Sequence, residues 1–252
     1  MARKKRRSGP IIFTTLVMLS LIAVAFYYAR QDLLSTSVHY REFGIAIPKR
    51  YHIHGIDVSR YQHKIQWEDV RAMEVEGIRL GFAFIKATEG RRIKDHHFNR
   101  NWRAAAASGM VRGAYHYFHP AVDPAAQAAH FIQQVKLKKG DLPPVLDVEE
   151  TNGVSKGELI AAMKVWLDAA EQAYGVKPII YTGPHFYETW LEGHFDDYPL
   201  WIAHYDTHRP RIGRQWHFWQ HSESGSVDGI RGKVDFNVFN GDSAAFKRLL
   251  IR

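Results

Sequence analysis

The sequence contains no cysteine, which excludes thiol catalysis, Cys-ligated zinc, iron–sulfur clusters and a disulfide framework. It also lacks a glycine fingerprint, a P-loop and an H-E-x-x-H, so nothing points to a dinucleotide, a nucleoside triphosphate or a zincin site. Internal repeats and low-complexity tracts are missing too. A composition of 46% hydrophobic and 24% charged residues over 252 positions excludes disorder, collagen and a multi-span membrane protein.

The formal charge of +8 does not amount to a nucleic-acid footprint. Arg3, Lys4, Lys5, Arg6 and Arg7 supply five of those charges, which leaves +3 for everything after them. The remaining Lys and Arg are scattered among acids and form no stripe, so no nucleic-acid partner is expected.

The only long uncharged run is IIFTTLVMLSLIAVAFYY at 11–28, near the minimum for a helix crossing a hydrocarbon core. It follows the cationic cluster and ends in Tyr27 and Tyr28, where an interfacial aromatic belt would lie. The positive-inside rule then predicts a single-pass signal anchor with a cytoplasmic N-terminus and everything after Arg30 exported. Ala23-Val24-Ala25 offers the competing reading, a cleavable signal peptide. The expected organisation is a basic cytoplasmic tail at 1–10, a transmembrane anchor at 11–29, a linker at 30–50 and one domain at 51–252. A monomer is expected.

Within that domain, β-rich runs alternate with helical ones. Strands are predicted at 52–59, 79–87, 111–118, 144–150, 177–183, 199–205, 215–220 and 233–239, with helices around 67–77, 96–109, 123–140 and 155–175. Asp123 followed by Pro124 reads as a helix start. Such alternation argues for parallel βαβ units. Eight strands in about 200 residues suggest a compact TIM-like (β/α) barrel whose later helices are short or missing; a doubly wound open sheet is the rival.

In a β/α barrel, catalytic groups sit where strands end. Asp57 lies near the end of the first predicted strand, Asp147 and Glu149 at the end of the fourth, and Asp235 in the last. Residues two apart on a strand share a face, so Asp147 and Glu149 project together after the apolar Val145-Leu146. Two such acids cannot both ionise easily. One pKa should rise, giving a neutral acid that protonates a leaving group beside a charged neighbour, which is the division of labour glycoside hydrolysis requires. Aromatic side chains near strand ends (Tyr117, Tyr181, Tyr205 and Trp219) can stack on sugar faces, and Gln220 and Asn237 can fix hydroxyls. Many of the aromatics will instead fill the core. The 15 histidines do not make a metal site: His52 and His54 oppose Asp57 in parity, and His96 and His97 diverge on a helix. His116 is the best candidate for a cleft histidine, with a core role the alternative. No metal and no cofactor is expected.

Eight segments in order, GIDVSRYQ, FIKATEG, GAYHYF, PPVLDVEE, IIYTG, LWIAHY, FWQHSESGSVDGI and VDFNVF, resemble the family 25 glycoside hydrolases, the muramidases that cut bacterial wall glycan. The resemblance implies a flattened, irregular (β/α) barrel, with Glu149 as general acid/base, Asp147 as its partner, and Asp57 and Asp235 as two further cleft acids. It implies a lysozyme-type, retaining cleavage of the β-1,4 bond between N-acetylmuramic acid and N-acetylglucosamine in peptidoglycan. With the anchor, this puts the domain on the periplasmic or outer side of a bacterial inner membrane. The alternatives are a non-catalytic peptidoglycan-binding module and a chitinase-like hydrolase of N-acetylglucosamine polymers. Many relatives carry repeated wall-binding modules after the barrel; here the anchor is expected to take their place.

Overall fold

A computed structural model describes residues 36–252, together with 17, 18 and 20–22. The expected basic tail lies outside the described residues, as does most of the expected anchor. Among the described residues no helix is long and apolar enough to cross a membrane.

Among the described residues twelve strands follow the chain: β1 Ser37–Tyr40, β2 Ile45–Pro48, β3 His54–Val58, β4 Glu74–Val75, β5 Ile78–Glu89, β6 Ile93–Lys94, β7 Val111–Tyr117, β8 Val145–Asp147, β9 Ile179–Thr182, β10 Leu200–Ala203, β11 Phe218–Gly225 and β12 Val234–Phe239. The longer helices are α1 Trp67–Ala72, α2 Phe98–Ala107, α3 Pro124–Gln134, α4 Lys156–Tyr174 and α5 Ser243–Leu249. Eight strands close a barrel in the order β3, β12, β11, β10, β9, β8, β7, β5, with β5 pairing back to β3. All neighbours are parallel except β12, which runs antiparallel to both β11 and β3. That reversal brings the start of β12 to the end of the barrel where the other seven strands finish.

The helix caps follow local chemistry. Asp123 Oδ1 accepts from the amides of Ala125 and Ala126, and Ser155 and Glu158 form a reciprocal capping box. On α4, Leu159, Met163, Trp166, Leu167 and Ala170 are buried, the spacing of one helical face. Two predicted helices are shorter than expected. Residues 67–77 are helical only to Ala72, because Glu76 and Gly77 both take positive φ (48° and 84°), the two-residue turn that joins β4 to β5 as a hairpin. The helix expected over 123–140 ends at Gln134, where the β-branched Val135 leaves helical geometry.

Strand parity sorts the aromatics. Phe82, Phe84, Trp201, Phe218 and Phe239 fill the barrel interior, with Phe246 of α5 below them. Phe84 stacks on Trp201 at 4.3 Å between ring centroids. Room for the two phenylalanines comes from glycines facing them: a Cβ on Gly55 would stand 2.5 Å from the Phe82 ring, and one on Gly113 2.5 Å from that of Phe84. Either substitution would force the interior apart.

The outer face of the barrel is covered by α1–α4 on one side. On the other side, where β11, β12 and β3 carry no helix, the cover is a hairpin of β1 and β2. This corrects the expectation that residues 37–48 belong to a linker. Phe43, Ile45 and Ile47 are buried, Phe43 packs edge-on against Phe236 at 5.3 Å, and the Ser226 amide donates to the Phe43 carbonyl. Four-residue strands are too short to show a period, so only the packing reveals them. Phe43→Ala should destabilise the domain by about 3–5 kcal/mol. Chemical denaturation of wild type and variant would measure this, with kcat unchanged below the unfolding transition.

Candidate active site

The strand ends converge on a cleft floored by Trp201 and Tyr181, whose rings lie 4.4 Å apart. Asp57 on β3 and Asp235 on β12 are register partners, so the antiparallel last strand sets their carboxyls side by side. Asp57 is 5% exposed. Its Oδ2 accepts hydrogen bonds from Gln220 Nε2 and Asn237 Nδ2, both at 2.7 Å. Tyr181 Oη donates to Gln220 Oε1 at 2.8 Å, and Tyr205 Oη reaches the same oxygen. Trp201 Nε1 donates to Asn237 Oδ1 at 2.8 Å, which ties the apolar interior to the polar layer above it.

Burial and the charge of Asp235 push the Asp57 carboxyl well above its ordinary value, and the two amide donors only partly offset this. Burial raises Asp235 to about 6. The two carboxyls are close enough that the ionisation of each depends on the other. Acids raised in the folded state bind more protons there than in the unfolded chain, so stability falls as pH climbs from the ordinary carboxylate range through about 6. Asp57→Asn keeps an oxygen for both amides and removes the repulsion. Its thermal midpoint should rise at neutral pH by ~1–2 kcal/mol equivalent, about 2–8 °C, and the gain should vanish below pH ~4. Calorimetry across that range checks the sign.

Across the cleft, β8 ends in Asp147, 5% exposed, and Glu149 follows two residues on, exposed to the open cleft. Their carboxyls lie close enough for each to act on the other's titration. Burial first, and then the neighbouring Glu149 charge, raises Asp147 well above its usual range; burial of part of its side chain likewise raises Glu149. Asp147 Oδ1 is buried and has no hydrogen-bond partner. A buried carboxylate oxygen without a partner, at a strand end beside an open acid, calls for a donor.

Sequence alone does not single out Lys86, although Phe82, Phe84 and Lys86 share one parity on β5. A register shift between Lys86 and Thr88 against β7 turns Thr88 outward and brings Glu89 to the face of Lys86. Bulges re-aim side chains in this way beside active sites. Lys86 Nζ donates to Glu89 Oε2 at 2.8 Å and lies 4.8 Å from the centre of the Tyr117 ring. Its charge opposes the rise at both Asp147 and Glu149. Tyr115, partly buried below them, lies within the field of Asp57, Asp147 and Asp235.

All four predicted acids therefore meet at one mouth. Of the predicted sugar-contacting residues, Tyr117 and Tyr205 are partly exposed there, while Tyr181, Gln220 and Asn237 form a buried layer under Asp57. Trp219 is a correction. It is fully buried on the outer face of the barrel, its Nε1 donating to the His204 carbonyl, because it alternates with the inward Phe218 and Gln220. His116 also faces outward, stacked on Trp166 at 5.6 Å with Thr88 and Gln127 on its two nitrogens; it is a satisfied core histidine. Among the described residues no group of three or more His, Asp and Glu could hold a metal ion.

Comparison with known proteins gives concordant results. The sequence profile of Glycosyl hydrolases family 25 matches residues 56–230. Protein YegX of Escherichia coli (strain K12) is 47% identical over 95% of this chain and 92% of its own length. Lysozyme M1 of Streptomyces globisporus is 34% identical over 76% of this chain and 69% of its own. Among solved structures, a family 25 glycosyl hydrolase from Bacillus anthracis superposes with a TM-score of 0.73 at 33% identity, covering 80% of this chain and 95% of that one. A lysozyme from Streptomyces coelicolor gives 0.73 at 32%, covering 80% and 98%.

Proposed function

Since the chain belongs to glycosyl hydrolase family 25 and is a lysozyme-type hydrolase of peptidoglycan, we propose that it cleaves the β-1,4 bond between N-acetylmuramic acid and N-acetylglucosamine with retention of configuration, through Glu149 and Asp147. Glu149, exposed in the cleft with a raised pKa, protonates the glycosidic oxygen. As that bond breaks, the carbonyl oxygen of the 2-acetamido group attacks the anomeric carbon and gives a cyclic oxazolinium. Asp147 accepts the acetamido N–H on its free Oδ1 and balances the positive charge. Glu149, now a carboxylate, takes a proton from water as that water opens the ring from the same face as the departed leaving group, which restores the starting state. Asp57 and Asp235 hold the sugar, and Tyr117 and Tyr205 flank it.

The observation that carries this reading is the unpartnered Asp147 Oδ1 beside an acid of raised pKa. Purified peptidoglycan digested by the protein and then reduced should give fragments ending in reduced N-acetylmuramic acid. Turnover on chitin oligomers alone would favour the chitinase-like alternative, binding without turnover the non-catalytic one, and ends on N-acetylglucosamine would overturn the assigned bond. A covalent sugar–Asp147 adduct would overturn the assisted route.

The same reading makes the N-terminus a membrane anchor. It is supported by the eighteen-residue uncharged run at 11–28 behind five cationic residues, and it puts a monomeric barrel on the periplasmic or outer side of the inner membrane. A mature protein beginning at Phe26 would replace the anchor with a cleaved leader.

A further inference from the structure

We propose that Arg50, Arg209 and Arg211 form a binding site for the phosphate groups of anionic phospholipid headgroups, which seats the barrel on the membrane with its cleft turned away. The proposal rests on the anchor reading above, and the test separates the two.

The three arginines line one open groove of about 610 Å³ with Glu188 as its one acidic side chain among the described residues. Tyr51 and Trp216, both nearly buried, form its apolar floor. Arg50 and Arg209 line the groove with Tyr51 and lie near enough for their charges to act on its phenol. Among the described residues none of the three makes an ion pair or a side-chain hydrogen bond. Other arginines of the fold are committed: Arg112 to Asp141, and Arg214 to the Phe195 carbonyl and Asp196. Three uncommitted guanidiniums around one groove are suited to phosphate, which the planar fork grips with two bonds.

The position of the groove identifies the source of that phosphate. Tyr51 lies just before β3, Trp216 just before β11, and Asn240 just after the reversed β12. All three are therefore at the end of the barrel away from the acids. Asp235 and Asn240 are five residues apart along a strand, about 17 Å at ~3.4 Å per residue, so a glycan in the cleft does not reach the groove. The chain leading from the N-terminus arrives there instead. The Lys49 amide donates to the Thr36 carbonyl, next to Arg50, and Thr36 Oγ1 lies 2.9 Å from His208 Nδ1, next to Arg209. With residues 11–28 in a membrane, the chain enters the described fold at Thr36, beside this basic groove, and each Arg near an anionic surface adds attraction.

The test uses the full chain reconstituted in phospholipid nanodiscs, with backbone hydrogen exchange read over residues 206–214 and 48–51. In discs containing phosphatidylglycerol, these segments should exchange at least roughly tenfold more slowly than in pure phosphatidylcholine. The protection should disappear in the Arg50→Gln/Arg209→Gln/Arg211→Gln variant and at raised salt. Equal exchange in the two lipids overturns the proposal. Protection by inorganic phosphate in neutral discs, equal to that given by phosphatidylglycerol, also overturns it, since the site would then serve a soluble anion. If the chain does not associate with neutral membranes at all, the anchor reading falls. The groove is then read by flotation with phosphatidylglycerol vesicles, where the triple variant should partition roughly 100-fold less than wild type at ~1 kcal/mol per Arg; equal partition rules it out. Both proteins carry the Arg3–Arg7 cluster, and turnover of soluble glycan fragments should be the same in both.

Discussion

Glu149→Gln should lower kcat on purified peptidoglycan by about 10³–10⁴-fold, roughly 4–5.5 kcal/mol of barrier, with little change in affinity for the glycan. The amide is nearly isosteric and sits at an open position, so the fold should be undisturbed. It cannot supply a proton to the leaving oxygen, and it cannot accept one from water afterwards. Both half-reactions fail together, which is why this effect is the largest expected. Circular dichroism and glycan pull-down establish that the variant is folded and binds, and release of reducing ends measures the loss. A variant retaining wild-type turnover would remove Glu149 from the mechanism.

Asp147→Asn should cost about 10²–10³-fold in kcat, comparable with removing one aligned group from a charge-stabilising site, and it should also move the pH profile. In the wild type the buried Asp147 carboxyl lies beside the more open Glu149, so removing the last proton from the pair creates two adjacent charges. That repulsion holds the proton to higher pH. With a neutral amide at this position, Glu149 ionises alone, and the basic limb of kcat/KM should shift to lower pH. A loss of rate with no movement of that limb would mean that the pair is not electrostatically linked. Substrates with the acetamido group replaced by hydroxyl should be slow with the wild type and gain little further penalty from Asp147→Asn, since the two changes remove one interaction.

The barrel was legible because its strands carry strong local signals. PPVLDVEE and LWIAHY are apolar runs with a polar end, and Asp123-Pro124 announces a helix start. The acids were found by the same logic, since strand ends of a β/α barrel face one mouth. What remained hidden depends on features that period counting does not register. Trp219 has the composition of a sugar platform, yet a one-residue difference in parity from Gln220 sends it to the opposite face, while Trp201, on an inward-facing position of β10, stacks on Phe84 and packs against Tyr181. Lys86 escapes notice because Lys86 and Glu89 share a face only through the irregularity at residues 86–88, which no alternation pattern reports. The β1–β2 hairpin is stabilised by contacts to Phe236 and Ser226 nearly two hundred residues away, beyond the reach of local propensity.

The reversed β12 also bears on how the protein is made. Asp57 leaves the ribosome early, but its carboxyl partner, Asp235, and two of the side chains that hold the polar layer, Asn237 and Gln220, come from the final third of the chain. A nascent polypeptide that has not yet reached Val234 has an open gap between β3 and β11, and Asp57 has no carboxyl partner. Pairings this distant in sequence are slow to form, so lytic capacity should switch on late and abruptly, when synthesis is complete and the last strand docks.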